Sequence, residues 1–178
     1  MAFWINAYNA VTVRGILREY PTTSIRNHTA KIFGYNIWKD LLLVVGGRSY
    51  SLEDIEHKVL RHMRDPRIHF AIVCASKGCP RLRNEAYTAE RLERQLDDNA
   101  RHFFAQRQNF RYDPARRHFE LSSILKWFGR DFGEDDRAVL RAIAPFLPES
   151  ASQVASTGGV TVSYLTYDWS LNDQPARR

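Results

Sequence analysis

Chemistry in this chain of 178 residues points first to the loop Cys74-Ala-Ser-Lys-Gly-Cys79-Pro80, which holds both of its cysteines. The thiolate is the reactive form of cysteine, and nearby positive charge and solvent access favour it. Cys74 continues an apolar alternation through Ile68, Phe70 and Ile72 and so reads as a small buried hydrophobe. Cys79 lies past that run, between Gly78 and Pro80 and two residues after Lys77, where a thiolate is favoured. Cys79 is therefore the candidate nucleophile, with Ser76 and Lys77 as neighbours for a substrate. The C-x4-C spacing also permits a Cys74–Cys79 bridge and redox work. Without a second ligand pair it has no metal-site character, and no cofactor is implied.

A cysteine nucleophile needs a base and a group that orients the base. His69 stands out among six histidines because it interrupts an otherwise apolar run. It lies five positions before Cys74, about 16 Å along an extended strand, so Cys79 reaches it only if the loop folds back. His57 is the rival base. It follows Glu56, which borders the apolar Leu52–Val59 stripe and is the candidate orienting acid. Asn6 and Asn9 share one face of an apolar first helix, where buried amides need partners. They are candidates for holding a substrate carbonyl or an oxyanion, or for bracing neighbouring loops.

These residues must be positioned by a series of short elements. The apolar period predicts a helix over residues 3–20, using Phe3, Ala7, Ala10, Val11, Val13, Ile16 and Leu17, with Pro21 as its stop. Leu41–Val45 and Arg48–Ser51 flank Gly46-Gly47 as a hairpin. Ser51-Leu-Glu-Asp54 is a capping-box start for a helix burying Leu52, Ile55, Val59 and Met63. Residues 68–75, apolar on both sides, read as a central strand. A long amphipathic helix follows from Thr88 to about Gln106. A second hairpin is expected at 110–121, then two helices opened by Ser122 and Asp135 and a final strand over 160–167. Irregular alternation of this kind predicts one α+β domain over residues 1–173 with a mostly antiparallel sheet, and a flexible tail at 174–178.

Composition bounds the function. A hydrophobic fraction of 44% and a charged fraction of 26% belong to a globular chain rather than a disordered one. The net charge of +6 invites nucleic acid, but the arginines are scattered beside acids and form no basic stripe, so nucleic-acid binding is not expected. No stretch reaches the ~20 apolar residues of a membrane span. Polar residues Asn6, Asn9, Arg14 and Arg18 run through the first twenty positions, against a signal peptide.

Four ordered blocks carry a resemblance: Phe-Trp-Ile-Asn-Ala-Tyr-Asn-Ala (3–10), Ser-Leu-Glu-Asp-Ile-Glu-His (51–57), Ile-His-Phe-Ala-Ile-Val-Cys-Ala-Ser-Lys-Gly-Cys-Pro (68–80) and Leu-Ser-Ser-Ile-Leu-Lys-Trp-Phe (121–128). With the ending Tyr-Asp-Trp-Ser-Leu-Asn (167–172), the chain resembles the family called domain of unknown function 547. The resemblance implies bacterial members that are often exported, and a thiol-peptidase-like arrangement related to papain or transglutaminase folds. The expected function is a cysteine-dependent hydrolase or acyl transferase on a peptide or thiol-containing small molecule. Cys79 would be its nucleophile, His69 its base, Glu56 the orienting acid, and Asn6, Asn9, His57, Ser76 and Lys77 its substrate contacts. Two other functions fit the same residues: a binding module for a small thiol such as glutathione or for a peptide, and a redox protein using Cys74 and Cys79.

Overall fold

The first helix, α1 (Ala2–Arg18), forms where its period predicts but buries a different face. Ile5, Tyr8, Val11 and Ile16 point inward together with the polar Asn9 and Thr12, while Phe3 and Leu17 are more than half exposed. The computed structural model describes residues 1–30 and 34–174, so all of the expected tail but Gln174 lies outside the described residues. After the short helix α2 (Ile37–Asp40), strands β1 (Leu43–Val45) and β2 (Arg48–Tyr50) pair antiparallel around the expected Gly46-Gly47 turn. Both glycines have positive φ (57° and 77°), which L residues with a Cβ adopt at a cost.

Ser51 caps the next helix as its sequence predicts. Its hydroxyl accepts from the Asp54 amide, and the Asp54 carboxylate accepts from the Ser51 amide. The helix starts as α3 (Leu52–Asp54) and then widens into a π turn (Ile55–Leu60) before a 3-10 turn at Arg61–Met63. The wider turn moves the buried stripe by one residue. Leu60 is fully buried in place of the expected Val59, and Met63 is exposed. Truncating the two should separate them: Leu60→Ala costs about 3 kcal/mol and Met63→Ala less than about 0.5 kcal/mol in urea unfolding. Equal costs would contradict the π turn.

The expected central strand at 68–75 does not form. Pro66 opens a 3-10 helix (Pro66–Phe70) whose preceding Asp65 side chain accepts from the Arg67 amide. Burial on both sides, the cue for a strand, is real: Phe70 enters one core with Phe103, Phe104 and Phe119, while Ile68, Ala71 and Ile72 enter a second with Ile5, Leu52 and Ile55. A segment between two cores, with no strand beside it among the described residues, must find other partners for its backbone. Asparagine side chains supply them. Asn9 Nδ2 donates to the Ala71 carbonyl (3.0 Å) and Asn9 Oδ1 accepts from the Val73 amide (2.9 Å). Asn99 Nδ2 donates to the Phe70 carbonyl (2.6 Å).

The second half of the chain packs against this segment. Helix α4 (Leu92–Phe104) is followed by the hairpin β3 (Phe110–Asp113) and β4 (His118–Leu121), and by α5 (Ser123–Phe132), capped by Ser122. Helices α6 (Asp136–Ile143) and α7 (Glu149–Ala155) lead to β5 (Thr161–Tyr164). β5 lies parallel to β4, so the three-stranded sheet is mixed rather than purely antiparallel. The architecture is one α+β domain. Among the described residues no helix is long and apolar enough to cross a membrane.

Candidate functional site

After Val73 the chain leaves the buried segment, and Ala75 takes a left-handed φ of 55°. That conformation is unfavourable for a residue with a Cβ. It reverses the chain so that Cys79 returns to Cys74, whose backbone N–H donates to Cys79 Sγ (2.7 Å). The loop is tied to the C-terminal segment. The Lys77 and Gly78 amides donate to the Ser170 and Asp168 carbonyls, and the Cys79 amide to the Ser76 carbonyl. Gly78 lies under the ring of Tyr167, where a Cβ would come within 2.9 Å of Tyr167 Cε2. Glycine is required there by close approach alone.

Both cysteines are free and partly buried, and both line a cleft of about 170 Å³. Cys74 Sγ lies 2.9 Å from Ser76 Oγ and 3.1 Å from Tyr167 Oη, and Ser76 Oγ donates to Tyr167 Oη at 3.0 Å. A hydrogen bond from the Cys79 thiol is the largest influence holding Cys74 down to about 7, reinforced by Ser76 and Tyr167 against the opposing effect of burial. Burial pushes Cys79 well above the usual thiol value, and the neighbouring Cys74 charge raises it further. The two thiols are therefore pushed in opposite directions: Cys74 is lowered, and Cys79, the expected nucleophile, is raised. Lys77, expected to assist Cys79, is exposed and donates no side-chain hydrogen bond to either sulfur.

The π turn carries Glu56 to the same cleft, where it accepts from Tyr8 Oη (3.2 Å). Burial raises its carboxyl, with the Cys74 charge adding to the rise. Glu56 does not orient His69 as expected. That role belongs to Asp131 on α5, whose Oδ2 lies 2.8 Å from His69 Nε2. Asp131 is itself gripped by Arg61, from Nε to Oδ2 and from Nη2 to Oδ1, both at 2.7 Å. Those Arg61 bonds are the first cause holding the Asp131 carboxyl below its ordinary value. His57 Nδ1 lies 3.0 Å from Arg61 Nη1, so His57 joins the same network at the rim. The His69 ring stacks on Phe128 with centroids 4.2 Å apart. A neutral His69 donates Nε2–H to Asp131 and keeps Nδ1 as its basic nitrogen.

Asn6 and Asn9, expected at the substrate, are instead committed to backbone. Asn6 brackets Tyr87, with Nδ2 donating to its carbonyl (2.8 Å) and Oδ1 accepting from its amide (2.9 Å), while Asn9 holds 71 and 73. The structure thus gathers Cys74, Cys79, Glu56, His57 and His69 around one cleft, buries Ser76 beneath it against Cys74 and Tyr167, and leaves Asn6 and Asn9 behind it as braces. Sequence reasoning missed Asp131, Tyr167, Tyr8 and Arg61. An acid in the apolar helix that follows Trp127-Phe128 was the available signal for Asp131.

Residues 1–104, more than half of the chain, match the family described as Protein of unknown function, DUF547. The chain belongs to the DUF547 family. The match contains the thiol loop, Glu56, His57 and His69, whereas Asp131, Tyr167 and the later blocks at 121–128 and 167–172 lie beyond it. No curated protein and no solved structure matches this DUF547 chain, so the likeness to papain or transglutaminase folds rests on the sequence resemblance alone.

The histidine network has a stability signature. Burial is the first cause lowering His69, so its folded value lies below the unfolded value of about 6.5. Its contribution is complete above about pH 6.5 and is lost as pH falls from there toward the lower folded value. Asp131, also lowered, loses its contribution only at more acid pH. His69→Gln should therefore flatten the fall in urea midpoint between pH 7.5 and pH 5, and a parallel His102→Gln isolates the smaller effect of that partly buried ring. An unchanged slope in His69→Gln would remove His69 as its source.

Proposed function

We propose that this DUF547 domain is a thiol–disulfide exchange protein acting through Cys74 and Cys79 on thiol- or disulfide-bearing peptides or small molecules. One observation carries the reading: at the cleft the backbone N–H of Cys74, whose thiol is lowered to about 7, donates to the sulfur of Cys79, whose thiol is raised. That asymmetry is what exchange requires. The Cys74 thiolate attacks one sulfur of a substrate disulfide, forming a Cys74–substrate disulfide and expelling the other sulfur as a thiolate. Capping Cys74 removes the negative charge that had raised Cys79. Cys79 then gives its proton to the departing thiolate and attacks Cys74 Sγ. The second substrate thiolate leaves and takes a proton from solvent. The substrate disulfide is reduced to two thiols, and the dithiol is oxidised to a Cys74–Cys79 bridge.

Acyl transfer is the second reading, favoured by the His69–Asp131 pair beside the cleft. There the Cys74 thiol would give its proton to His69 Nδ1 as its sulfur attacks a carbonyl, and His69 would return that proton to the leaving group. Against it, the backbone amides of Cys74, Lys77, Gly78 and Cys79 already donate within the protein and are not free to hold an oxyanion.

The test uses a peptide disulfide and mass spectrometry. Wild type should end with both peptide thiols released and two hydrogens lost from the protein, while Cys79→Ser should stop at a peptide held on Cys74. Acylation of Cys74 by an amide or thioester substrate, with no bridge in wild type, would establish acyl transfer instead. Inertness toward both substrates would leave a non-catalytic binding domain.

A further inference from the structure

The two sides of the cleft come from different parts of the chain. Residues within 1–104 supply the thiols, Glu56 and the histidines, and the facing wall is built from Trp127 and Phe128 of α5 and from Tyr167 and Trp169 after β5. We propose that this wall makes the Cys74 site selective for disulfides whose substituent carries an aromatic ring, as on a polypeptide segment, over small polar disulfides such as oxidised glutathione. The inference rests on the exchange reading above and concerns only which disulfide is chosen.

Size is the first argument. The cleft volume of about 170 Å³ is close to the ~150 Å³ apolar cavity known to hold one benzene. The wall is also ring against ring. Trp127 and Trp169 stack with centroids 5.5 Å apart, and Tyr167 bridges them at 4.9 and 4.6 Å. Trp127 is nevertheless 47% exposed, so a large apolar face stands at the mouth rather than in the core. An incoming ring finds offset and edge contacts there.

Charge is the second argument. Arg61 is gripped by Asp131, Glu56 is bonded by Tyr8, and Arg26 stacks over Trp169 at 5.3 Å. A thiol carrying several ionised groups would give up water in this cleft where Arg61 and Glu56 are already engaged, and Arg26, whose contact with Trp169 leaves its charge unneutralised, answers at most one of its carboxylates. A neutral aromatic substituent carries no such penalty.

The experiment compares the disulfide-linked dimers of acetyl-Phe-Cys-amide and acetyl-Ser-Cys-amide, whose reacting sulfurs are matched, with oxidised glutathione as third substrate. Rates of peptide-thiol release are read on wild type, Trp127→Ala and Trp127→Leu. The Phe dimer should react about tenfold faster than the Ser dimer in wild type, and both variants should reduce that preference to about twofold. Equal rates for the three substrates, with Cys74 consumed, would overturn the selectivity and leave exchange standing. A faster reaction with oxidised glutathione would likewise overturn it. No reaction with any of them would overturn selectivity and exchange together. Trp127→Leu retains apolar bulk without the ring, so a preference lost in Trp127→Ala but kept in Trp127→Leu would assign the effect to apolar area and refute the aromatic claim.

Discussion

Cys74→Ser should abolish the alkylation of this protein near neutral pH. Wild type should react with iodoacetamide along a titration centred near 7, because Cys79, Ser76 and Tyr167 stabilise the Cys74 thiolate. At pH 7 about half of such a thiol is ionised, against about 1% for a thiol with a value near 9. Cys79 lies higher still. Removing Cys74 should therefore slow alkylation about fiftyfold or more at pH 7. Cys79→Ala tests the cause, since it removes the first of the influences on Cys74 and should move the midpoint upward. A protein that loses reactivity in Cys79→Ala and keeps it in Cys74→Ser would return the nucleophile to Cys79.

Asn9→Ala should be the most destabilising single truncation of a polar side chain in the thiol-loop scaffold. Asn9 is buried, and its amide satisfies both the Ala71 carbonyl and the Val73 amide, which have no strand neighbour. Leaving a buried backbone donor and acceptor unpaired costs about 1–3 kcal/mol each, so a total near 4 kcal/mol is expected in urea unfolding. The loss should also reach the site, since Val73 immediately precedes Cys74. Cys74 alkylation in the folded variant should lose its low midpoint. A cost below about 1 kcal/mol would mean that water or another group replaces the bracket.

The two results together decide between a site built by the loop and one built by its supports. If Asn9→Ala raises the Cys74 midpoint without touching either sulfur, the reactivity of the thiolate is set by the path of residues 71–75. The left-handed Ala75 is the turning point of that path. Local chemistry such as Lys77 beside Cys79 then contributes little.

Much of the fold was legible in the chain because the responsible forces are local. The Gly46-Gly47 hairpin, the Ser51–Asp54 capping box, the 110–121 hairpin and the Ser122 and Asp135 caps each depend on residues within a few positions of one another. The meeting of the two cysteines was legible for a related reason: thiols five positions apart in one loop stay near each other in any compact fold. Family membership followed from the ordered blocks themselves.

What the sequence could not decide was partnership over distance. Two-sided burial at 68–75 has the same apolar pattern whether a sheet or a set of asparagine side chains satisfies the backbone, and only packing between two cores selects the second. The shift from Val59 to Leu60 needs a π turn that leaves no mark in apolar spacing. Asp131 reaches His69 across 62 positions, and Tyr167 reaches Cys74 across 93. Which thiol ionises depends on those distant donors and on relative burial. Sequence by itself thus determined that both cysteines lie in one loop ending at Pro80. Only the tertiary structure lowers the Cys74 thiol and raises the Cys79 thiol, because a thiolate is stabilised by whatever is folded against it.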